Sequence, residues 1–442
     1  MSIHKLKGYQ EKTCRGAVQC YNALDTTTNR SYIKLALKDE LENAIKESDK
    51  RIVSNSERDI EGVCVSIKDL FLIEEKATGS NFLRDYISPY TATVVKRIQD
   101  SGIIISKDNC DMFHGSMNIN THFDKFHNAL HTDRFPSSGT AVTVALGGAH
   151  FGIASDTSIR QPAVFNGLVG FKPSYGAVSR YGLMSYASSL DTVPIAKDVE
   201  DINTIMNVIG KDINDMTSYD YTGISLDDLG RYDLKKRVIY QDFINYPGLD
   251  PLIKNHISMV ENILKQEVII KKIHFFPPEV LVATYYVIAM AETASNLSRL
   301  TIHYGKRLEK NFEDIAMKSR DYGFSEETKK RIIIGNQILS TNASHYYKKA
   351  KDIRNAIIRK FAYDFNDVDI VLSPITPNFI GKTTSNEQYD NDTYLDDMYT
   401  VFNLKNPTLA LPSIDLSIQL TAYKNDSEVI KFYALERLLK VL

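Results

Sequence analysis

The sequence predicts an α/β fold. Short apolar runs of strand length recur between longer stretches with helical spacing, and the two kinds alternate along most of the chain. The 442 residues are 43% apolar and 24% charged, an ordinary globular balance with enough apolar material for a substantial core. No internal repeat, low-complexity tract or linker breaks the alternation. One domain is therefore expected over 33–442, preceded by an N-terminal extension over 1–32.

Taken in order, residues 33–49 read as an amphipathic helix, with Leu37, Leu41 and Ile45 four apart. In the run 62–68, Val63, Val65 and Ile67 fall on one face of a strand, and Cys64, Ser66 and Lys68 on the other. A helix over about 91–101 leads into Ile103-Ile104-Ile105, typical of a buried strand. The small residues from Thr140 to Leu146 suit a closely packed helix. Residues 151–194, rich in glycine and proline, read as a loop-rich centre. Helices follow over 251–266, 326–340 and 343–361, and a last strand over 368–372 ends at Ser373-Pro374.

Composition excludes several functions. The formal charge of −2 gives no reason to expect autonomous nucleic-acid binding. The cysteines, Cys14, Cys20, Cys64 and Cys110, form no C-x-x-C, which suits a reducing compartment. No uninterrupted apolar run approaches the roughly 18 residues of a membrane span, so no membrane insertion is expected. There is no P-loop and no G-x-G-x-x-G, so any nucleotide chemistry belongs to a partner. His122, His127 and His131 lack the spacing of a metal motif and read as loop residues.

The residues with chemical promise are Lys68, Ser137 and Ser158. Serine becomes a nucleophile only when something removes its proton, and none of the ten histidines has local triad context. A lysine serves instead where burial disfavours its ammonium form, and a second serine can relay the proton. On spacing alone, Lys68 reads equally as a strand-end lysine reaching solvent, and the serines as turn or capping residues.

The chain resembles the amidase-signature family over about residues 33 to 440. The densest match runs from Ser155-Asp156-Thr157 through Ser158-Ile159-Arg160-Gln161-Pro162-Ala163. It continues through Gly170-Phe171-Lys172-Pro173-Ser174-Tyr175-Gly176, Val178-Ser179-Arg180-Tyr181-Gly182-Leu183 and Ala187-Ser188-Ser189-Leu190-Asp191. Within the family, the last two of these blocks resemble the glutaminase subunits of tRNA-dependent amidotransferases. The resemblance implies a large mixed sheet covered by helices on both faces, with Lys68 as catalytic lysine, Ser137 as bridging serine and Ser158 as acyl-forming nucleophile. Arg331, in Lys329-Lys330-Arg331-Ile332, matches a carboxylate-binding arginine, and Asp397, in Tyr394-Leu395-Asp396-Asp397, an ammonium partner. Without the family both read as surface charges. Tyr285 matches a pocket tyrosine, with Tyr286 the alternative. The implied setting is a complex with two partners, the B subunit of the amidotransferase plus a small third subunit. Glutamine is the implied substrate, and Glu-tRNA(Gln) is held mainly through the partners. No cofactor is expected in this chain, and ATP and magnesium are expected on the partner. The weakly basic start, with Lys5, Lys7, Lys12 and Arg15, leans toward a mitochondrial setting, with a bacterial cytoplasm as the alternative.

The chain departs from the family pattern at its glycines. Thr157 is followed directly by Ser158, where the family has two intervening glycines. Phe135-Pro136 precedes Ser137, and a single Gly139 follows Ser138. Glycines are also absent before Pro194 and between Ala410 and Leu411. Such glycines let the backbone aim N–H groups at an oxyanion. Either the chain is a catalytically impaired subunit, or the natural protein carries glycines that this sequence lacks. The persistence of Lys68, Arg331 and Asp397 favours the second.

Overall fold

The computed structural model describes residues 15–36, 38–75, 82–83, 86–110, 126–130, 138–156, 160–210, 212, 215–218, 237–241, 249–266, 268–273, 276–301, 311–375, 408–412 and 418–422. Among them, eleven strands form one mixed sheet in the order β1-β3-β2-β4-β6-β5-β10-β11-β9-β7-β8. The strands are β1 (Tyr32–Leu35), β2 (Cys64–Lys68), β3 (Ile103–Asp108), β4 (Phe151–Asp156), β5 (Val169–Lys172), β6 (Asp191–Ala196), β7 (Arg237–Gln241), β8 (Ile269–Ile273), β9 (Ile370–Pro374), β10 (Thr408–Leu411) and β11 (Ile418–Ala422). Parallel segments lie toward the two ends, β3-β2-β4 and β9-β7-β8, with antiparallel ladders between them.

The helices, in chain order, are α1 (Arg15–Thr26), α2 (Lys38–Val53), α3 (Thr93–Ser101), α4 (Gly139–Ala145), α5 (Arg160–Phe165), α6 (Val199–Ile209), α7 (Pro251–Leu264), α8 (Pro278–Leu297), α9 (Phe312–Gly323) and α10 (Glu326–Asp364). Every residue of β2 is buried, so both faces of the sheet are covered there. The alternation read from the sequence divides those faces. Val63, Val65 and Ile67 pack in the larger core with Val94, Val95 and Ile98 of α3 and Ile202 and Ile205 of α6. Cys64 packs on the other side with Ala17, Cys20 and Leu24 of α1 and Ala141 and Val144 of α4. Helix α1 lies in the stretch set apart above as an N-terminal extension, and Ala17 and Leu24 are fully buried.

Several expectations need correction. Residues 33–35 belong to β1, and the helix begins at Lys38. The chain here pairs antiparallel with β3, Tyr32 opposite Asp108 and Leu35 opposite Ser106, so edge pairing overrides the local helical spacing. The centre, 151–194, is not mainly loop: it contributes β4, β5, β6 and α5. The segments 326–340 and 343–361 form one 39-residue helix, capped by Ser325, whose side chain accepts from the Thr328 N–H. That helix packs along α8. A Cβ on Gly335 would stand 2.1 Å from the Met290 carbonyl oxygen, so only glycine permits this approach. The stretch Glu279–Leu297 of α8 is long and apolar enough to cross a membrane by length and composition. Here it is packed, with 56% of its most apolar window buried.

Candidate active site at the ends of the parallel strands

Lys68 is the last residue of β2, at the carboxyl end of a parallel segment, where open α/β sheets place their ligand sites. It is 6% exposed, so the reading of a lysine reaching solvent does not hold. Its neighbours are set by register. Along β2 and β3, Val65 pairs with Ile104 but Ser66 pairs with Ser106, so Ile105 is an extra residue in the ladder. This bulge puts Ser106 and Asp108 on the same face as Ser66 and Lys68, with Lys68 directly opposite Asp108.

Asp108 is completely buried there. The Ser106 hydroxyl donates to its carboxylate at 2.8 Å and the Thr143 hydroxyl at 3.3 Å. Thr143 in turn shares a 2.7 Å hydrogen bond with Ser31. Burial raises the Asp108 carboxyl to about 7, against the opposing pull of hydroxyls from Ser106, Ser66, Thr140 and Thr143. Helix α4 supplies both threonines. It approaches the sheet closely because Gly152 of β4, opposite Ser66, has no side chain: a Cβ would lie 2.3 Å from Thr140 Cγ2.

Ser138 is the N-cap residue of α4, extended and buried. The next residue, Gly139, is fixed by its surroundings, since a Cβ would meet the Ser31 carbonyl at 2.3 Å and the Asn109 carbonyl at 2.6 Å. Among the described residues, the hydroxyls of Ser138 and Ser155 and both polar atoms of the Asn109 side chain are buried without a hydrogen-bond partner. Buried polar atoms of this kind mark sites that serve something other than the fold. An ion pair missed by sequence reasoning lies on the other parity of the same strand ends: Lys107 to Asp69 at 2.7 Å, both buried. Its only sequence signal was the polar run Ser106-Lys107-Asp108-Asn109 at the end of an apolar strand.

Ser137 and Ser158 lie outside the described residues, as does Asp397. Chain connectivity still brackets the two serines. Ser137 immediately precedes the N-cap of α4, and Ser158 lies in the connection between β4 and α5. Both connections leave from the strand-end edge that carries Lys68. Of the three histidines, His127 pairs its backbone N–H with the Asn29 side chain, and His122 and His131 lie outside the described residues.

A second cluster sits on the helix pair. Arg331 of α10 is 1% exposed, so it is not the surface charge that its sequence context suggests. Its guanidinium lies over the Tyr286 ring, 5.7 Å from the centroid. Tyr286 makes an edge contact with the buried Tyr285, centroids 5.4 Å apart. Helix α8 is tied to the loop that leads into β6. Glu292 accepts from the Ser188 backbone N–H at 2.7 Å, the Ser188 hydroxyl at 3.0 Å and the Tyr347 hydroxyl at 3.1 Å. Asn296 donates to the Tyr186 carbonyl at 2.9 Å. Arg180 braces the same loop through the Leu190 carbonyl at 2.9 Å. The structure thus brings Lys68 to the edge from which both serine-bearing connections leave. It groups Arg331 with both candidate tyrosines, and joins the two clusters through residues 186–190.

The amidase family model matches residues 17–424. The chain belongs to the amidase family. Among curated relatives it is 37% identical over 431 residues to the A subunit of the glutamyl-tRNA(Gln) amidotransferase of Fusobacterium nucleatum, covering 91% of this chain and 87% of that one. It is 35% identical to the protein of the same name from Lactococcus lactis, covering 84% and 81%. Among solved structures, the A subunit of the glutamyl-tRNA(Gln) amidotransferase of Thermotoga maritima superposes with a TM-score of 0.75 at 26% identity, covering 98% of this chain and 93% of that chain. A Kluyveromyces lactis allophanate hydrolase superposes at 0.78 with 18% identity, covering 100% of this chain and 72% of that one, and shares the fold. The family accounts for the mixed sheet clothed in helices.

Proposed function

We propose that this chain is the glutaminase subunit of a tRNA-dependent amidotransferase, releasing ammonia from glutamine for a partner that amidates Glu-tRNA(Gln). The observation that carries this reading is the buried Lys68 at a parallel strand end, among hydroxyls and a buried carboxyl, below a helix whose N-cap directly follows Ser137. In this reading the Ser158 hydroxyl attacks the side-chain amide carbon of glutamine. Its proton passes through Ser137 to Lys68 and on to the departing ammonia. Water then hydrolyses the glutamyl ester on Ser158. Arg331 binds the α-carboxylate, Asp397 the α-ammonium, and Tyr285 or Tyr286 walls the pocket. The relatives' names support partners of the same kind: a B subunit plus a small third subunit, with ATP and magnesium on the partner.

A second reading is favoured by one observation, the direct adjacency of Thr157 and Ser158. A shortened approach to the nucleophile removes oxyanion donors, each worth roughly 100- to 1000-fold in turnover. The chain would then serve as a structural subunit of the same complex. Peptide mass mapping of residues 134–173 after exposure of the assembled complex to an electrophilic glutamine analogue separates the two. Label on Ser158 supports the glutaminase. An unlabelled peptide with the mass of this sequence supports the structural role. Glutamine-independent amidase activity, indifferent to Arg331→Ala, would instead indicate a stand-alone amidase.

A further inference from the structure

Away from the strand-end site, Cys20 of α1, Cys64 of β2 and His150 converge in the core, their sulfur and nitrogen atoms all within 4.8 Å of one another. All three are buried, with Cys20 4% and Cys64 0% exposed. Two sulfurs and an imidazole suggest a soft metal, but the hydrogen bonding argues otherwise. The Cys64 backbone N–H donates to His150 Nδ1 at 2.9 Å. A neutral imidazole that accepts at Nδ1 carries its proton on Nε2, so neither nitrogen has a lone pair to give a metal. Metal at Nε2 would move the proton to Nδ1 and set it against the Cys64 N–H, orphaning a buried donor.

The same arrangement suits a thiolate. His150 Nε2 lies 3.9 Å from Cys20 Sγ, within reach of a weak N–H donor to sulfur. The Cys64 thiol hydrogen-bonds to the Cys20 sulfur. That bond and His150 hold the Cys20 thiol down at about 5, against the opposing effect of burial. A stabilised thiolate with a second thiol in contact is the arrangement of an attacking and a resolving cysteine.

We propose that Cys20 and Cys64 are a peroxide-reactive pair, Cys20 attacking and Cys64 resolving, that closes a disulfide between α1 and β2. Peroxide is small enough to reach a sulfur at the rim of the core. The Cys20 thiolate attacks one peroxide oxygen, breaking the O–O bond and releasing hydroxide, and becomes a sulfenic acid. The Cys64 thiol then displaces that oxygen as water, forming the S–S bond. Two electrons pass from the two sulfurs to one peroxide. The bond ties the first helix to the strand that carries Lys68, four residues beyond Cys64 and on the same face.

The test uses the full chain, reduced, freed of reductant and given graded hydrogen peroxide, then alkylated and mapped by non-reducing peptide mass spectrometry. The Cys20 and Cys64 peptides are expected as one cross-linked species, at an about ten-fold lower peroxide dose than oxidises Cys14 or Cys110. In Cys64→Ser, Cys20 should stop at the sulfenic acid and be captured by a 1,3-dione probe; in Cys20→Ser, Cys64 should stay reduced at the same dose. Oxidation of Cys20 no sooner than of Cys110, a cross-link that pairs Cys14 with either partner, or stoichiometric zinc retained by the wild type and lost from Cys20→Ser would each overturn the proposal.

Discussion

Two cations are buried in this molecule, and their surroundings are built in opposite ways. Lys68 stands among groups from β2, β3 and α4, gathered by strand register across distant parts of the chain. Arg331 stands against a tyrosine pair on one neighbouring helix, gathered by side-by-side packing of α8 and α10. The first environment is hydroxyls and a carboxyl, which can exchange protons. The second is aromatic faces, which hold a guanidinium without changing its protonation. The difference assigns proton chemistry to the strand ends and recognition to the helix pair.

The sharpest way to break that contrast is Lys68→Met. If proton transfer runs through this lysine, glutamine hydrolysis in the assembled complex should fall by about 100- to 10,000-fold, with assembly unchanged. Arg331→Lys should instead act mainly through the KM for glutamine, since lysine keeps the charge but loses the planar fork. Steady-state kinetics on both variants checks the pair. A KM effect at Lys68, or a pure kcat effect at Arg331, would undo the assignment.

A second comparison tests how each environment is held together. Gly139→Ala sets a Cβ against two carbonyls beside α4, and Gly335→Ala sets one against the Met290 carbonyl. Both should lower stability by about 1–3 kcal/mol in denaturant titrations, the range for overpacking against fixed groups. Only Gly139→Ala should also slow turnover, because it shifts the helix that follows Ser137.

The carboxyl opposite Lys68 offers a test by pH. Asp108 keeps its proton to about 7 in the folded protein, against a usual 3.8. The unfolded chain therefore loses this proton first as pH rises. Stability falls from about pH 4 to about pH 7 and then levels off. Asp108→Asn removes the titration, so its stability relative to wild type should rise across that window by on the order of a few kcal/mol. Denaturation at several pH values measures the difference, and a flat difference would mean that Asp108 is ionised when folded.

How much of this was legible in the sequence follows the same division. The α/β alternation and the parity of Val63 to Lys68 were visible, because each depends on neighbours along the chain. The burial of Arg331 was not, because α10 carries many charges and only packing against α8 hides this one. The bulge at Ile105-Ser106 was equally invisible, since nothing in Ile103-Ile104-Ile105-Ser106 marks an extra residue. Yet that bulge puts Asp108 on the face of Lys68. The strand β1 was misread as helix because edge pairing, a long-range effect, decided it. Ser137, Ser158 and Asp397 remain assignments from resemblance, their positions lying outside the described residues.

The smallest effect tests the joint between the two regions. Glu292 gathers hydrogen bonds from the Ser188 backbone, the Ser188 hydroxyl and Tyr347 at the foot of the loop leading into β6. Glu292→Gln keeps one acceptor oxygen and the size of the side chain, and removes the charge that strengthens these bonds. Because the contact is largely exposed, its loss should cost about 1 kcal/mol or less. If the helix pair carries recognition and this loop sets its place against the strand ends, the variant should raise the KM for glutamine a few-fold and leave kcat alone. A change in kcat without a change in KM would mean that the loop acts on the strand-end chemistry directly, and the two regions would have to be treated as one site.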